Sequence, residues 1–375
     1  MTGRRSIPAV ALAALFLGGA GAAHADFDQA MGYFKAGKFL EAAAEFQGMV
    51  DAAPTYDYGQ YMLGQCQLRV GRAADAERSF RKAIEMRGDK AEYVHGLAVA
   101  FKDQRRYVMA LGVLSNEERL VRDRRTAYAF LALRGYLFAA LRRWGEATGD
   151  LERALALKRD PILLDLLGKA YFSMGRYDRA AAAFSSASDA TPADARPCRM
   201  LSESLLRIAA ASQDPTRKRE IYTQAMAAAQ RLMRIQPGDP EAVGLLGRAA
   251  LGAGRFSAAE SAFNSVLSVH PGACHVLIDL SRALLGLDRA GDAEAALDGA
   301  SRCASSMAEV PEGLGRVYFR QMRFDKALDA FLRANSLQPS AAARAGIEAV
   351  RAEIEARRDG PARKDRASRP VGPSR

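Results

Sequence analysis

Residues 161–194 read PILLDLLGKAYFSMGRYDRAAAAFSSASDATPAD. In this 34-residue stretch Leu164, Leu167, Gly168, Tyr171, Gly175, Ala180, Phe184, Ala187 and Pro192 stand at positions 4, 7, 8, 11, 15, 20, 24, 27 and 32. Apolar residues three and four apart predict two amphipathic helices. Gly175 separates them and Pro192 ends the second. The same frame fits 308–341 through Leu314, Gly315, Tyr318, Ala327, Phe331, Ala334 and Pro339. It fits 57–90 through Leu63, Gly64, Gly71, Ala76, Phe80 and Ala83, and 240–273 through Leu246, Gly247, Gly254, Ala259, Phe263 and Pro271.

Weaker copies occupy 23–56, 91–124, 128–161 and 274–307. A further copy, 195–239, carries an insertion of about 11 residues between its helices, where Asp214-Pro215 breaks the chain. Two columns test the register. Position 20 is Ala in every copy: Ala42, Ala76, Ala110, Ala147, Ala180, Ala225, Ala259, Ala293 and Ala327. Position 8 is always small: Ala30, Gly64, Ala98, Gly135, Gly168, Ser202, Gly247, Ser281 and Gly315. Antiparallel helices approach to about 8–10 Å only where the crossing residues are small.

A Leu-Gly pair, an aromatic, a small residue, a second aromatic and a terminal Pro resemble the tetratricopeptide repeat family. The resemblance covers nearly all of 26–341. It implies an all-α fold: a right-handed superhelical solenoid of about nine helix-turn-helix repeats, each touching its neighbours. That outweighs the two or three domains which 375 residues suggest on length alone. The expected divisions are a cleaved signal at 1–25, the solenoid at 26–339, a capping helix at 340–358 and a disordered basic tail at 359–375. The cap rests on the apolar side formed by Ala345, Ile347, Val350 and Ile354, the tail on its Pro, Arg and Ser content.

The signal reading follows from Arg4 and Arg5, the apolar run Ala9 to Gly21, and the small residues of Ala23-His24-Ala25. The mature chain is expected to begin near Asp26, in the periplasm. It has no later segment long and apolar enough to span a bilayer.

The chain has 54 Lys and Arg against 43 Asp and Glu, a net charge of +11. Hydrophobic residues are 49%, too many for a disordered chain. Aromatics are only 8%, which disfavours an all-β fold. Export makes nucleic acid a poor partner. No phosphate-binding glycine loop, zinc-protease helix or nucleophile elbow is present. No enzyme, cofactor or metal is therefore expected. Cys274 and Cys303 open and close the helix pair of one repeat, so antiparallel packing brings them within disulfide reach. Cys66 and Cys198 lie too far apart to pair.

In the tetratricopeptide family, first-helix positions 2, 5, 9, 12 and 13 face the concave groove. By that resemblance the groove residues are Lys169, Phe172, Arg199, Arg207, Arg248, Leu251, Arg282, Leu285, Arg316, Phe319 and Arg320. Arg248, Arg282 and Arg316 are 34 residues apart and predict a ladder beside an apolar row. The N-terminal half offers Phe27, Met31, Phe34, Tyr58, Tyr61, Leu68, Val99 and Tyr136 instead. Two readings of the ladder follow. It captures acidic groups of a ligand, or it pairs with carboxylates such as Glu203, Glu241, Glu309 and Glu312. The resemblance implies a non-catalytic scaffold of the cell envelope that binds a protein or peptide with acidic and apolar groups. The rivals are binding of an anionic polysaccharide during export, and service as accessory subunit of an envelope enzyme.

Overall fold

The computed structural model describes residues 26–304 and 306–367, with side chains to 357. The expected signal segment and residues 368–375 of the expected tail lie outside the described residues. The described residues form α-helices and one 3-10 turn, with no strand among them. The chain divides into two compact units, the first ending at Gly175 and the second beginning at Arg176.

The first unit contains α1 (26–35), α2 (Phe39–Ala52), α3 (Asp57–Arg69), α4 (Ala73–Met86), α5 (Ala91–Asp103), α6 (Tyr107–Asn116), α7 (Arg124–Ala140), α8 (Trp144–Leu157) and α9 (Pro161–Ser173). The second contains α10 (Tyr177–Ala190), α11 (Ala195–Ala211), α12 (Pro215–Ile235), α13 (Pro240–Gly252), α14 (Phe256–Val269), α15 (Cys274–Gly286), α16 (Ala290–Cys303), α17 (Glu309–Arg320), α18 (Phe324–Leu337) and α19 (Ala341–Ala367). From α2 to α9 in the first unit, and throughout the second, each helix packs on its successor in the chain. First helices also touch alternately: α3 on α5, α5 on α7, α11 on α13, α13 on α15 and α15 on α17.

The small columns explain that order. All nine alanines at position 20 have no exposed surface. At Gly64, Gly135, Gly247 and Gly315 the position 8 residue receives the position 24 side chain of the same repeat. A Cβ built at Gly64 would lie 2.8 Å from the Phe80 ring, and one at Gly315 would lie 2.8 Å from the Phe331 ring. The ring touches the following helix as well. Phe80 lies 2.5 Å from a Cβ built at Gly96 of α5, and Phe331 lies 2.6 Å from one at Gly346 of α19. One side chain thus locks three helices.

The turn between the helices of a repeat needs left-handed backbone at position 15. Gly71 (φ 78°) and Gly254 (φ 76°) take it without strain. Arg105, Arg142, Asp288 and Met322 occupy the same position with φ of 58–60°, so packing imposes the turn where glycine is absent. The next residue is a cation that closes the turn. Arg106 stacks 4.6 Å from Phe101 and pairs with Glu77 of the preceding repeat at 2.7 Å. Arg323 stacks 4.5 Å from Tyr318 and pairs with Glu294 at 3.1 Å.

Two expectations need correction. The insertion in 195–239 does not form a loop but lengthens both helices, α11 to 17 residues and α12 to 21. Its residues are mostly good helix formers, and Asp214 caps the new start by accepting from Thr216 N with Pro215 at the first position. The capping helix does not stop at 358. It continues to Ala367, so the first part of the expected disordered tail is helical. Cys274 and Cys303 are joined in a disulfide with Cα atoms 6.1 Å apart, tying the start of α15 to the end of α16.

Two glycines of α13 test this packing account. Gly244 has no atom within 4 Å of a Cβ built on it, whereas a Cβ at Gly247 would lie 2.6 Å from the Phe263 ring. Gly244→Ala should stabilise by up to about 1 kcal/mol through helix propensity. Gly247→Ala should destabilise by about 1–3 kcal/mol through overpacking. Urea unfolding of both variants measures this, and a stabilised Gly247→Ala would refute the wedge.

Candidate functional site

In the second unit the first helices α11, α13, α15 and α17 present one face, with two clefts along it. The first, about 450 Å³, is lined by Glu203, Leu206 and Arg207 of α11, Tyr222 of α12, Arg248 and Leu251 of α13, and Asp279 and Arg282 of α15. The second, about 350 Å³, is lined by Phe256, Arg282, Leu285, Arg316, Phe319 and Arg320, with Phe331 and Gly346 behind them. Arg282 belongs to both. Eight of the expected groove residues therefore meet on one face: Arg207, Arg248, Leu251, Arg282, Leu285, Arg316, Phe319 and Arg320.

The remaining three differ. Arg199 is internal. It bridges to Asp239 at 3.1 Å and Glu241 at 2.8 Å, holding α11 to the start of α13. It is a structural cation, because position 5 at that repeat lies beside the next repeat's N-cap. Lys169 and Phe172 stand on α9 in the first unit, where the Lys169 ammonium pairs with Asp165 at 2.7 Å.

The two readings of the ladder divide by residue. Arg282 pairs with Asp279 at 2.7 Å and Arg316 with Glu312 at 2.7 Å, each on its own helix. Arg320 approaches the exposed Asp288 at 3.6 Å. Among the described residues no carboxylate lies within 4.0 Å of Arg207 or Arg248. Two guanidinium groups thus stand open beside Leu206, Leu251 and Tyr222.

Asp279 supplies the electrostatic detail that the sequence reading missed. It is largely buried between the positions of Arg248 and Arg282. Burial pushes its carboxyl above the usual carboxylate range, while Arg282 and Arg248 pull it back down. Tyr222 and Phe256 were also missed. They belong to second helices and reach the clefts because Gly252 and Gly286 leave room for their rings. The available signal was glycine at position 13, where the other repeats of this face carry Arg207 and Arg320.

In the first unit the expected aromatic row is mostly packed on itself. Phe27 meets Phe46 at 6.2 Å and Tyr58 at 6.1 Å, and Tyr61 stacks on Tyr93 at 4.9 Å. Tyr58 and Tyr136 keep exposed rings.

Two family models, both described as tetratricopeptide repeat, match the chain. One covers 220–273 and 250–308, the other 27–91, 61–115 and 166–240. The chain belongs to the tetratricopeptide repeat family. Such repeats are protein-interaction scaffolds. Similar solved structures include a tetratricopeptide repeat protein from Parabacteroides merdae, with 14% identity, 69% of this chain and 98% of that one covered, and a TM-score of 0.48. The C-terminal part of a repeat protein from Cytophaga hutchinsonii has 17% identity, with 68% and 99% covered and a TM-score of 0.48. YrrB, described as a TPR protein with an unusual peptide-binding site, has 16% identity, with 53% and 95% covered and a TM-score of 0.44. No curated protein is significantly similar in sequence. No helix among the described residues is long and apolar enough to cross a membrane.

Asp279 yields a pH test of the site. Its folded-state pKa is raised, so its favourable contribution is complete below about pH 4 and is lost as pH rises through the raised value. Asp279→Asn removes that loss. The denaturation midpoint of the variant should gain on the parent between about pH 4 and pH 7. Parallel curves would show that the arginines, not burial, set the carboxyl.

Proposed function

We propose that this repeat protein is a non-catalytic scaffold of the bacterial envelope, exported to the periplasm. It takes a partner protein or peptide with acidic and apolar groups on the first-helix face of its second unit. The observation that carries the reading is the open pair Arg207 and Arg248 beside Leu206, Leu251 and Tyr222. An unpaired guanidinium offers a planar fork to a carboxylate. Isolated exposed ion pairs contribute little, so the adjoining apolar surface supplies the remaining affinity. Export rests on the basic start, short apolar run and small-residue site before Asp26.

Co-purification from envelopes with and without crosslinking tests the scaffold, with Arg248→Glu/Arg282→Glu as the reversed variant. Hydrogen bonds to charged groups contribute about 1.5–3 kcal/mol. The variant should therefore hold its partner roughly tenfold less well or worse. Absence of any partner with the parent protein would sink the reading. If the variant instead loses retention on an anionic polysaccharide and keeps its protein partner, the occupant is a glycan. N-terminal sequencing of the periplasmic form should begin at Asp26.

A further inference from the structure

A third cleft, unlike the first-helix face in composition, lies in the first unit. It has a volume of about 740 Å³, with α2 and α4 as walls and α3 as floor. The floor carries Gln60, Leu63 and Gln67; Gln47 and Asp51 stand on one wall, and Asp75, Arg78, Ser79 and Lys82 on the other, with Arg72 at the end.

The floor departs from the repeat pattern at two places. Gln60 and Gln67 occupy positions 4 and 11, which are Val94 and Phe101 in the next repeat and Leu131 and Phe138 in the one after. Those positions ordinarily fill the space between neighbouring units. Gln60 is only 5% exposed overall, and its side-chain amide, which makes no hydrogen bond among the described residues, is the part that opens onto the cleft. Ser79 is equally buried and donates to Gln67 Oε1 at 2.8 Å, leaving the Gln67 amide hydrogens to face the cleft. Asp51 accepts from Gln47 at 2.8 Å, and Asp75 pairs with Arg78. Arg72 and Lys82 have no carboxylate within 4.0 Å.

We infer that this cleft is a binding site for a small polyhydroxylated acid of the sugar-acid class. Amides and a hydroxyl both donate and accept, and Asp51 and Asp75 accept. That mixture suits hydroxyl groups, which do both. The two unpaired cations supply the counter-charge for a carboxylate. No aromatic ring lines the cleft, so the ligand is held by polar contacts. The volume lies within the range of small-molecule sites. The site stands independently of the function proposed above.

Titration of the full chain with glucuronate by calorimetry tests the site, with glucose and succinate as comparisons. Glucuronate should bind saturably and each comparison at least tenfold more weakly. Gln60→Leu/Gln67→Leu restores the residue type of the other repeats, so its melting temperature should hold or rise while glucuronate binding falls at least tenfold. Arg72→Gln/Lys82→Gln, at exposed positions, should weaken glucuronate comparably and serves if the first variant fails to fold. The site is refuted if glucuronate shows no saturable binding or if succinate equals it, which would mean attraction of an adventitious ion only. It is also refuted if the leucine variant folds and keeps the affinity, or if Arg248→Glu/Arg282→Glu abolishes the binding.

Discussion

The structure depends on one contact, the insertion of the position 24 side chain into a surface of small residues. Phe80 against Gly64 and Gly96 shows its full form, with one ring closing its own repeat and seating the next. Leu297 does the same against Gly313, and Phe331 against Gly315 and Gly346. Because the wedge and its surface recur from repeat to repeat within each unit, the pairing of neighbouring helices there follows from it. The face on which the Arg row stands follows as well, since position 8 turned inward places position 9 outward.

That geometry sorts the positive charge. Several arginines serve the fold and are spent within it. Arg106 and Arg323 close turns over aromatic rings, Arg199 holds two repeats together, and Arg134 forms a bidentate pair with the buried Asp150 at 2.6 and 2.9 Å. The remaining open guanidinium groups on the second unit's face are few. They sit beside apolar side chains.

The sequence periodicity placed the Arg ladder on one face because residues 34 apart in identical repeats occupy equivalent positions. It could not separate Arg199 from Arg248. Both stand on first helices at face positions, and only the approach of Asp239 and Glu241 across the repeat boundary makes the former structural. Asp279 was overlooked for the related reason that position 6 is usually small or apolar, as at Gly96 and Gly313. The polar floor around Gln60 and Gln67 was visible as two departures from the repeat. Their meaning required knowing that the Gln60 amide makes no hydrogen bond within the described residues and opens onto the cleft.

By itself the sequence determined the helical repeat, its register and the identity of the small and large columns. These are local or strictly periodic properties, and each position recurs often enough to override the weak signal of any one copy. Tertiary structure alone decided which charges are consumed inside the protein, how the insertion between α11 and α12 is absorbed, and how far α19 continues. It also keeps the left-handed turn of position 15 at Arg105, Arg142, Asp288 and Met322, where glycine is absent. The pairing of charges depends on side chains from neighbouring repeats, whose distances are fixed by packing and leave no trace in residue spacing.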